Sequence, residues 1–357
     1  MCSDYKSRTD VSIVVSCLIA GFGYHNIRSG LLELNMQFII PTEGKFSLIT
    51  AQRSSAMRVA LIGQAAFGEA VYRQLLDSGE SVAAVFYERE GDPLHTLAVE
   101  TGVDSYPTKN LRSNDFFQVY SDLEIDLNVM AFVTVIIPER VIALPSKGTI
   151  QYHPSLLPVH RGRSAINWAI VNGEVETGIT IFWPDKGIDT GPVLLQKTSP
   201  VTEDDTVSSL YRNSLFPLGV EGLAEAVSLI RQGIAPSIIQ DESLSTYEPP
   251  MEGHFASIQW MRPAKQIYDL VRGCDSQPGA SANLNGELVR LLDASLERRV
   301  GPGNYGELIG IDEDGIRIAL NGGTLLIRRI RAEGSRAISA VEYAASVGLA
   351  VGHRFSV

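Results

Sequence analysis

Cysteine is scarce. Only Cys2, Cys17 and Cys274 occur in 357 residues, odd in number and far apart. That excludes a disulfide framework and points to a reducing compartment. An excess of positive charge is also missing. The formal net charge is -11 and the pI about 5.1. This balance argues against a broad surface that coats nucleic acid, though not against a local basic patch. A bilayer-spanning run, which needs roughly 20 apolar residues, is lacking. The apolar stretch Ser12 to Phe22 is closed by Gly21 and Gly23, and no clean small-residue cleavage site follows it. Residues 1–56 therefore read as an upstream extension outside the fold, with a targeting segment as the alternative. The expected location is cytoplasmic, off the membrane, with organelle import left open.

What is present fits a soluble globular chain. Hydrophobic residues make up 45% and charged residues 20%, too apolar for disorder. The length exceeds one ordinary core and suggests two domains. Arg58 to Ile62 and Val82 to Phe86 are short apolar runs that read as buried strands, and Phe67 to Leu76 between them has helical spacing. Asp126 to Phe132, Thr149 to Tyr152 and Ile179 to Trp183 read as further strands. Helical patches cover Ser164 to Val171 and Thr206 to Arg231. This alternation implies an α/β fold with a mostly parallel sheet covered on both faces. Ser245 to Gly253, with Pro249 and Pro250, reads as a linker. After one helix, Pro263 to Arg272, short apolar runs are divided by Asp314-Gly315 and Gly322-Gly323. They predict a small β-rich domain, with a barrel as its candidate form. The expected division is an extension at 1–56, a catalytic domain at 57–252 and a β-domain at 253–357.

Two segments could carry chemistry. In Gly148 to Trp168, GTIQYHPSLLPVHRGRSAINW, a strand ends at His153 and a Pro-rich loop follows. Ligands of open α/β sheets sit at the carboxyl ends of strands, where a histidine suits proton transfer. The plain alternative is a histidine that only caps its strand. His160 is a second proton carrier, expected on the loop surface. In Trp183 to Gly191, WPDKGIDTG, Asp189 could orient an imidazole. Asp185 is its rival, and turn-forming aspartates are common. Other chemistries fit poorly. Gly63 and Gly68 lack the G-x-G-x-x-G spacing of dinucleotide enzymes. His153 and His160, beside no cysteine pair, make a poor metal site. Neither a metal nor NAD is expected.

Taken together, GTIQYHPSLLPVHRG and IDTGPVLLQ resemble the formyltransferase family that includes methionyl-tRNA formyltransferase. The likeness is greater to the hydrolase domain of 10-formyltetrahydrofolate dehydrogenase. GQAAFGEAVYRQL, SAINWAI, FWPDKGIDTG, DDTVSSLYRNSLFP and RPAKQIYDLVRG extend it from Met57 to the end. The resemblance implies a Rossmann-like domain that binds folate, followed by an open β-barrel of the oligonucleotide-binding type. It implies His153 and Asp189 as the catalytic pair, with Gln151 as an amide donor. It places Phe132, Ile136, Ser155, Leu156, Leu157, Asp185, Gly187 and Ile188 around the folate. One departure stands out: the transferases carry Asn two positions before the histidine, the hydrolase domain an aliphatic residue, and this chain Gln151. No aldehyde dehydrogenase segment follows in the sequence, so oxidation of the formyl group is not expected. The expected function is transfer of formyl from 10-formyltetrahydrofolate to an amine, with initiator methionyl-tRNA one candidate acceptor. Hydrolysis to formate, or folate binding without catalysis, are the alternatives.

Overall fold

The computed structural model describes residues 37–42, 45–50, 57–299 and 301–356. The expectation that residues 1–56 stand outside the fold falls largely outside the described residues. Within that stretch β1 (Gln37–Thr42) and β2 (Lys45–Thr50) pair as an antiparallel hairpin.

From Met57 strands and helices alternate. The order is β3 (Arg58–Gly63), α1 (Ala65–Asp77), β4 (Ser81–Tyr87), α2 (Pro93–Thr101), β5 (Asp104–Pro107), α3 (Asn114–Asp122), β6 (Leu127–Ala131), α4 (Glu139–Ala143) and β7 (Thr149–His153). Next come α5 (Ala165–Val171), β8 (Glu176–Phe182) and β9 (Val193–Pro200). The seven strands lie in the order β5-β4-β3-β6-β7-β8-β9. The first five are parallel, while β8 and β9 are antiparallel additions. Val59 to Ile62 are buried on both faces, which is why they read as an unbroken apolar run; Leu127 to Ala131 are equally buried, with the one polar member, Asn128, accepting from the Tyr120 hydroxyl at 2.8 Å. β9 escaped the sequence reading because it is an edge strand whose second half, Gln196 to Ser199, is continuously polar. Gly63 is needed where β3 meets β6, since a Cβ there would lie 2.7 Å from the Ala131 carbonyl oxygen. Strand order reverses between β3 and β6, so a ligand crevice is expected at the carboxyl edge there.

The long helical stretch is divided into α6 (Val207–Leu210), a π-turn (Tyr211–Leu215) and α7 (Phe216–Gln232). Thr206 and Ser209 form a capping box at its start. Pro217 opens α7, where a missing N–H costs little. α1 and α7 cover one face of the sheet around Phe67, Tyr152, Ile179 and Leu223; Phe86, Tyr120 and Val141 pack on the other.

A connection over 233–263 leads to α8 (Ala264–Gly273). A separate core then forms beneath β10 (Ala280–Leu284), β11 (Glu287–Glu297), β12 (Leu308–Asp312), β13 (Gly315–Leu320), β14 (Gly323–Ala332), β15 (Ile338–Ser339) and α9 (Ala340–Ser346). The sheet is antiparallel in the order β10-β11-β14-β13-β12. Its two edges are joined through the C-terminal residues. Ser356 exchanges backbone hydrogen bonds with Asn283 of β10, and Leu308 of β12 donates to the His353 carbonyl at 2.8 Å. This is the open barrel expected from the sequence. α5 packs on α8, with Asn167 Nδ2 donating to the Gly273 carbonyl at 2.8 Å.

Candidate active site

β7 sets the site. Side chains alternate along a strand, so Ile150 and Tyr152 enter the core while Gln151 and His153 share the other face. His153 is buried. Its Nε2 lies 2.8 Å from the His160 carbonyl oxygen. A carbonyl only accepts, so Nε2 carries a proton and the neutral ring presents Nδ1 as its lone pair. Nδ1 lies 3.5 Å from Asp189 Oδ2. A proton arriving at Nδ1 therefore meets a carboxylate.

Asp189 is held just as closely. Its backbone is left-handed, with φ of 56°, unusual for a residue with a side chain. Its Oδ2 accepts from the Gly162 amide at 2.9 Å, and its carbonyl accepts from Gln240 Nε2 at 2.9 Å. Asp185, the rival, is exposed and bonds its own loop: Oδ1 accepts from the Gly187 amide at 2.9 Å and from Thr190 Oγ1 at 2.5 Å. It shapes the turn that carries Asp189. Gly191 closes that turn, since a Cβ there would lie 1.8 Å from the Trp183 carbonyl oxygen.

The loop after β7 is stitched to the antiparallel strands. Thr180 Oγ1 of β8 donates to the Ser155 carbonyl at 2.7 Å and accepts from the Leu157 amide at 3.0 Å. Gln196 Nε2 of β9 donates to the Leu157 carbonyl at 2.8 Å. Ser155 is buried and spends its hydroxyl on the Val159 carbonyl at 2.6 Å. Leu156 packs over Gly178 and Leu157 is buried. The side chains of Ser155 and Leu157 thus face the loop's interior. Phe132, Ile136 and Ile188 instead expose apolar surface, 83% for Ile136. Lys186 meets Glu139 at 3.3 Å, which links the Asp185–Asp189 loop to α4, just after Ile136. Beside them a shallow hollow at the carboxyl edge of the sheet is lined by Gly63, Gln64, Glu88, Thr108 and Phe132 to Val135. Gln64 Nε2 donates to the Phe132 carbonyl at 3.0 Å and so fixes that rim.

One expectation is corrected. His160 does not lie on the loop surface; it is 2% exposed. Its Nε2 faces Glu174 Oε1 at 2.7 Å and its Nδ1 faces Glu248 Oε1 at 3.1 Å. Two carboxylates, one before β8 and one on the connection after α7, draw the ring inward, which a linear reading cannot see. Burial opposes its charge, but the hydrogen bonds and fields of Glu174 and Glu248 outweigh that and hold its pKa above the ordinary histidine value. The connection also supplies residues that sequence reasoning missed. Gln240 and Glu242 bind the guanidinium of Arg161, with Nη2 donating at 2.8 and 2.7 Å. Thr246 Oγ1 accepts from the His160 amide at 2.8 Å. No periodicity or motif marks them, because the segment they act from has no regular structure beyond a 3-10 turn at Glu242–Leu244.

Residues 57–227 match the formyl transferase family model, and residues 251–348 match the model of the formyl transferase C-terminal domain. Mitochondrial 10-formyltetrahydrofolate dehydrogenase of Mus musculus is 38% identical over 315 residues, covering 84% of this chain and 34% of that protein. The chain thus spans about a third of the length of such dehydrogenase relatives. Methionyl-tRNA formyltransferase of Trichlorobacter lovleyi is 33% identical over 305 residues, covering 83% of this chain and 96% of that protein. Among solved structures, HypX from Aquifex aeolicus in complex with tetrahydrofolic acid shares the fold, with a TM-score of 0.64 at 24% identity, over 83% of this chain and 48% of that one. With a two-part fold, a His–Asp pair at the sheet's carboxyl edge, two family models matched in order and a 33%-identical relative covered along nearly its whole length, the chain belongs to the formyl transferase family.

Proposed function

We propose that the chain moves the formyl group of 10-formyltetrahydrofolate to an amine acceptor, with residues 57–252 as the catalytic domain and 253–357 as an accessory β-domain. The observation that carries this reading is the His153–Asp189 pair, buried and held by one stretch of backbone. The His160 carbonyl binds one member and the Gly162 amide binds the other.

The chemistry is acyl transfer. The acceptor nitrogen attacks the formyl carbon, and the carbonyl electron pair moves onto oxygen. On collapse the bond from the formyl carbon to N10 breaks. N10 gains a proton and the acceptor nitrogen loses one. His153, protonated against Asp189, supplies positive charge where the oxyanion develops, and Asp189 relays the proton. Gln151 adds an amide donor on the same face of β7. The exposed apolar groups of Phe132, Ile136 and Ile188 suit an aromatic ring such as the pterin.

Water in place of the amine gives formate, and the 38% identity to a 10-formyltetrahydrofolate dehydrogenase favours keeping that reading beside the first. The test measures free formate and formylated product together, with methionyl-tRNA and cell-derived amines as acceptor pools. His153→Ala and Asp189→Asn should each lower turnover by roughly 10²- to 10⁴-fold while folate still binds. Because the two act as a unit, the double variant should lose little more than either alone. Additive losses would contradict the paired mechanism. Formate as the sole product in every pool would replace transfer by hydrolysis.

A further inference from the structure

We propose that His160 is a positioning residue: clamped between Glu174 and Glu248, it fixes the backbone carbonyl that binds the imidazole of His153 and thereby sets that ring's tautomer and aim. This rests on the reading of His153 as the group that acts on the formyl carbon.

The ring of His160 has both nitrogens against carboxylate oxygens, Nε2 at 2.7 Å from Glu174 and Nδ1 at 3.1 Å from Glu248. A neutral imidazole donates from one nitrogen only, so both contacts are hydrogen bonds when the ring is protonated. Glu174 follows α5 and Glu248 lies on the connection between the two lobes, so the ring ties three distant stretches of chain together. The backbone at His160 is itself left-handed, with φ of 58°, a conformation that persists where its surroundings over-determine it. The surroundings do so from each side. The His160 amide donates to Thr246 Oγ1 at 2.8 Å, and the Arg161 amide donates to the Thr246 carbonyl at 3.0 Å. What the turn presents is the His160 carbonyl to His153 Nε2 and, two residues on, the Gly162 amide to Asp189 Oδ2. Buried as it is, the His160 ring is not placed to meet a substrate. It acts through the turn.

The acids facing the ring are Glu174 and Glu248; the guanidinium of Arg161 is engaged with Gln240 and Glu242. Loss of the proton leaves a lone pair against one carboxylate and breaks one side of the clamp. The folded-state pKa is raised, so the clamp's contribution is full below about 6.5, the unperturbed histidine value. It is lost as pH rises through the raised folded value.

The test compares the full chain with His160→Asn, His153→Ala and the double variant. Asparagine tolerates the left-handed backbone and removes the clamp. Imidazole 15N spectra read the tautomer directly, with the His153 signals identified by their loss in His153→Ala. Expected is the Nε2–H form of His153 in the wild type and a mixture of tautomers in His160→Asn. The value of kcat should fall on the order of 10²-fold with little change in KM, as for a small misplacement of a reacting group. The double variant should lose no more than His153→Ala, and the wild-type fall in kcat toward high pH should flatten in His160→Asn. Glu248→Gln, which keeps the ring and removes one charge, should shift the same 15N signals in the same direction and serves where His160→Asn fails to fold. An unchanged tautomer, or losses that add in the double variant, overturns the proposal and leaves His160 a structural residue. Should the wild type not consume 10-formyltetrahydrofolate, the functional reading fails, and the tautomer measurement still decides the role of His160.

Discussion

Gln151 is two residues before His153, and on a strand that spacing puts both side chains on one face. It is half-buried. An amide donor bonded to the developing oxyanion strengthens in the transition state, so removing it lowers the rate more than the affinity. Gln151→Leu is therefore expected to lower kcat by roughly 10²- to 10³-fold, as for an oxyanion-hole donor, with folate affinity unchanged. Gln151→Asn should keep substantial activity through its shorter amide. Stopped-flow turnover beside equilibrium folate titration separates the two quantities, and an unaltered kcat in Gln151→Leu would mark the residue as a bystander. The two aspartates of the WPDKGIDTG loop show what a sequence leaves open at this scale. Asp185 and Asp189 share one loop and one charge. They differ in direction: Asp185 turns back to Gly187 and Thr190, while the left-handed backbone at Asp189 aims its carboxylate at His153.

At the scale of elements, the connection after α7 does more than join lobes. Ile238 exchanges two backbone hydrogen bonds with Val193 of β9, and Gln240 reaches beneath the Asp189 loop. Its amide donates to the Asp189 carbonyl at 2.9 Å and to the Gly191 carbonyl at 2.7 Å, while its oxygen accepts from Arg161. Gln240→Leu leaves the two carbonyls and the Arg161 Nε without these partners, while the Arg161 Nη nitrogens keep Glu242. Each buried polar group so stranded costs about 1–3 kcal/mol. The expected result is a lower chemical-denaturation midpoint together with faster amide exchange across residues 185–191. Exchange confined to the connection itself would show that Gln240 does not hold the loop. Ser245 to Gly253 reads as a linker from its prolines, yet Thr246 within it is bonded to the loop after β7 through both backbone and hydroxyl.

For the whole molecule, the first core lies on both faces of the parallel sheet, around Phe67 and Leu223 and around Phe86 and Tyr120, and the second lies around Ile267, Ile327 and Phe355. Both consist of residues from Met57 onward, and β3 starts at Arg58. A chain beginning at Met57 is accordingly expected to keep the thermal midpoint and turnover of the full chain. Calorimetry and the folate assay check this, and an insoluble or inactive shortened chain would show that residues 1–56 belong to the fold. In the described part of the chain no helix is long and apolar enough to cross a membrane. The second core depends on its end: Phe355 packs against Trp260, with ring centroids 5.7 Å apart, and the neighbouring backbone bridges β10 and β12.

What the sequence determined by itself was whatever is written locally. Buried parallel strands appear as apolar runs such as Val82 to Phe86, the helices appear as spaced apolar stripes, and His153 is placed by the strand that ends in it. These signals are short-range, because a strand or helix follows from the pattern of its own residues. The tertiary structure alone decided the rest. It drew His160 inward to Glu174 and Glu248, turned the Asp189 carboxylate toward His153, and recruited Gln240 and Thr246 from a segment with no periodicity. Those partners are separated from their targets by 14 to 88 positions. Buried polar groups must be satisfied wherever the fold brings a donor to an acceptor, and that pairing is a property of the packed molecule rather than of any window of the chain.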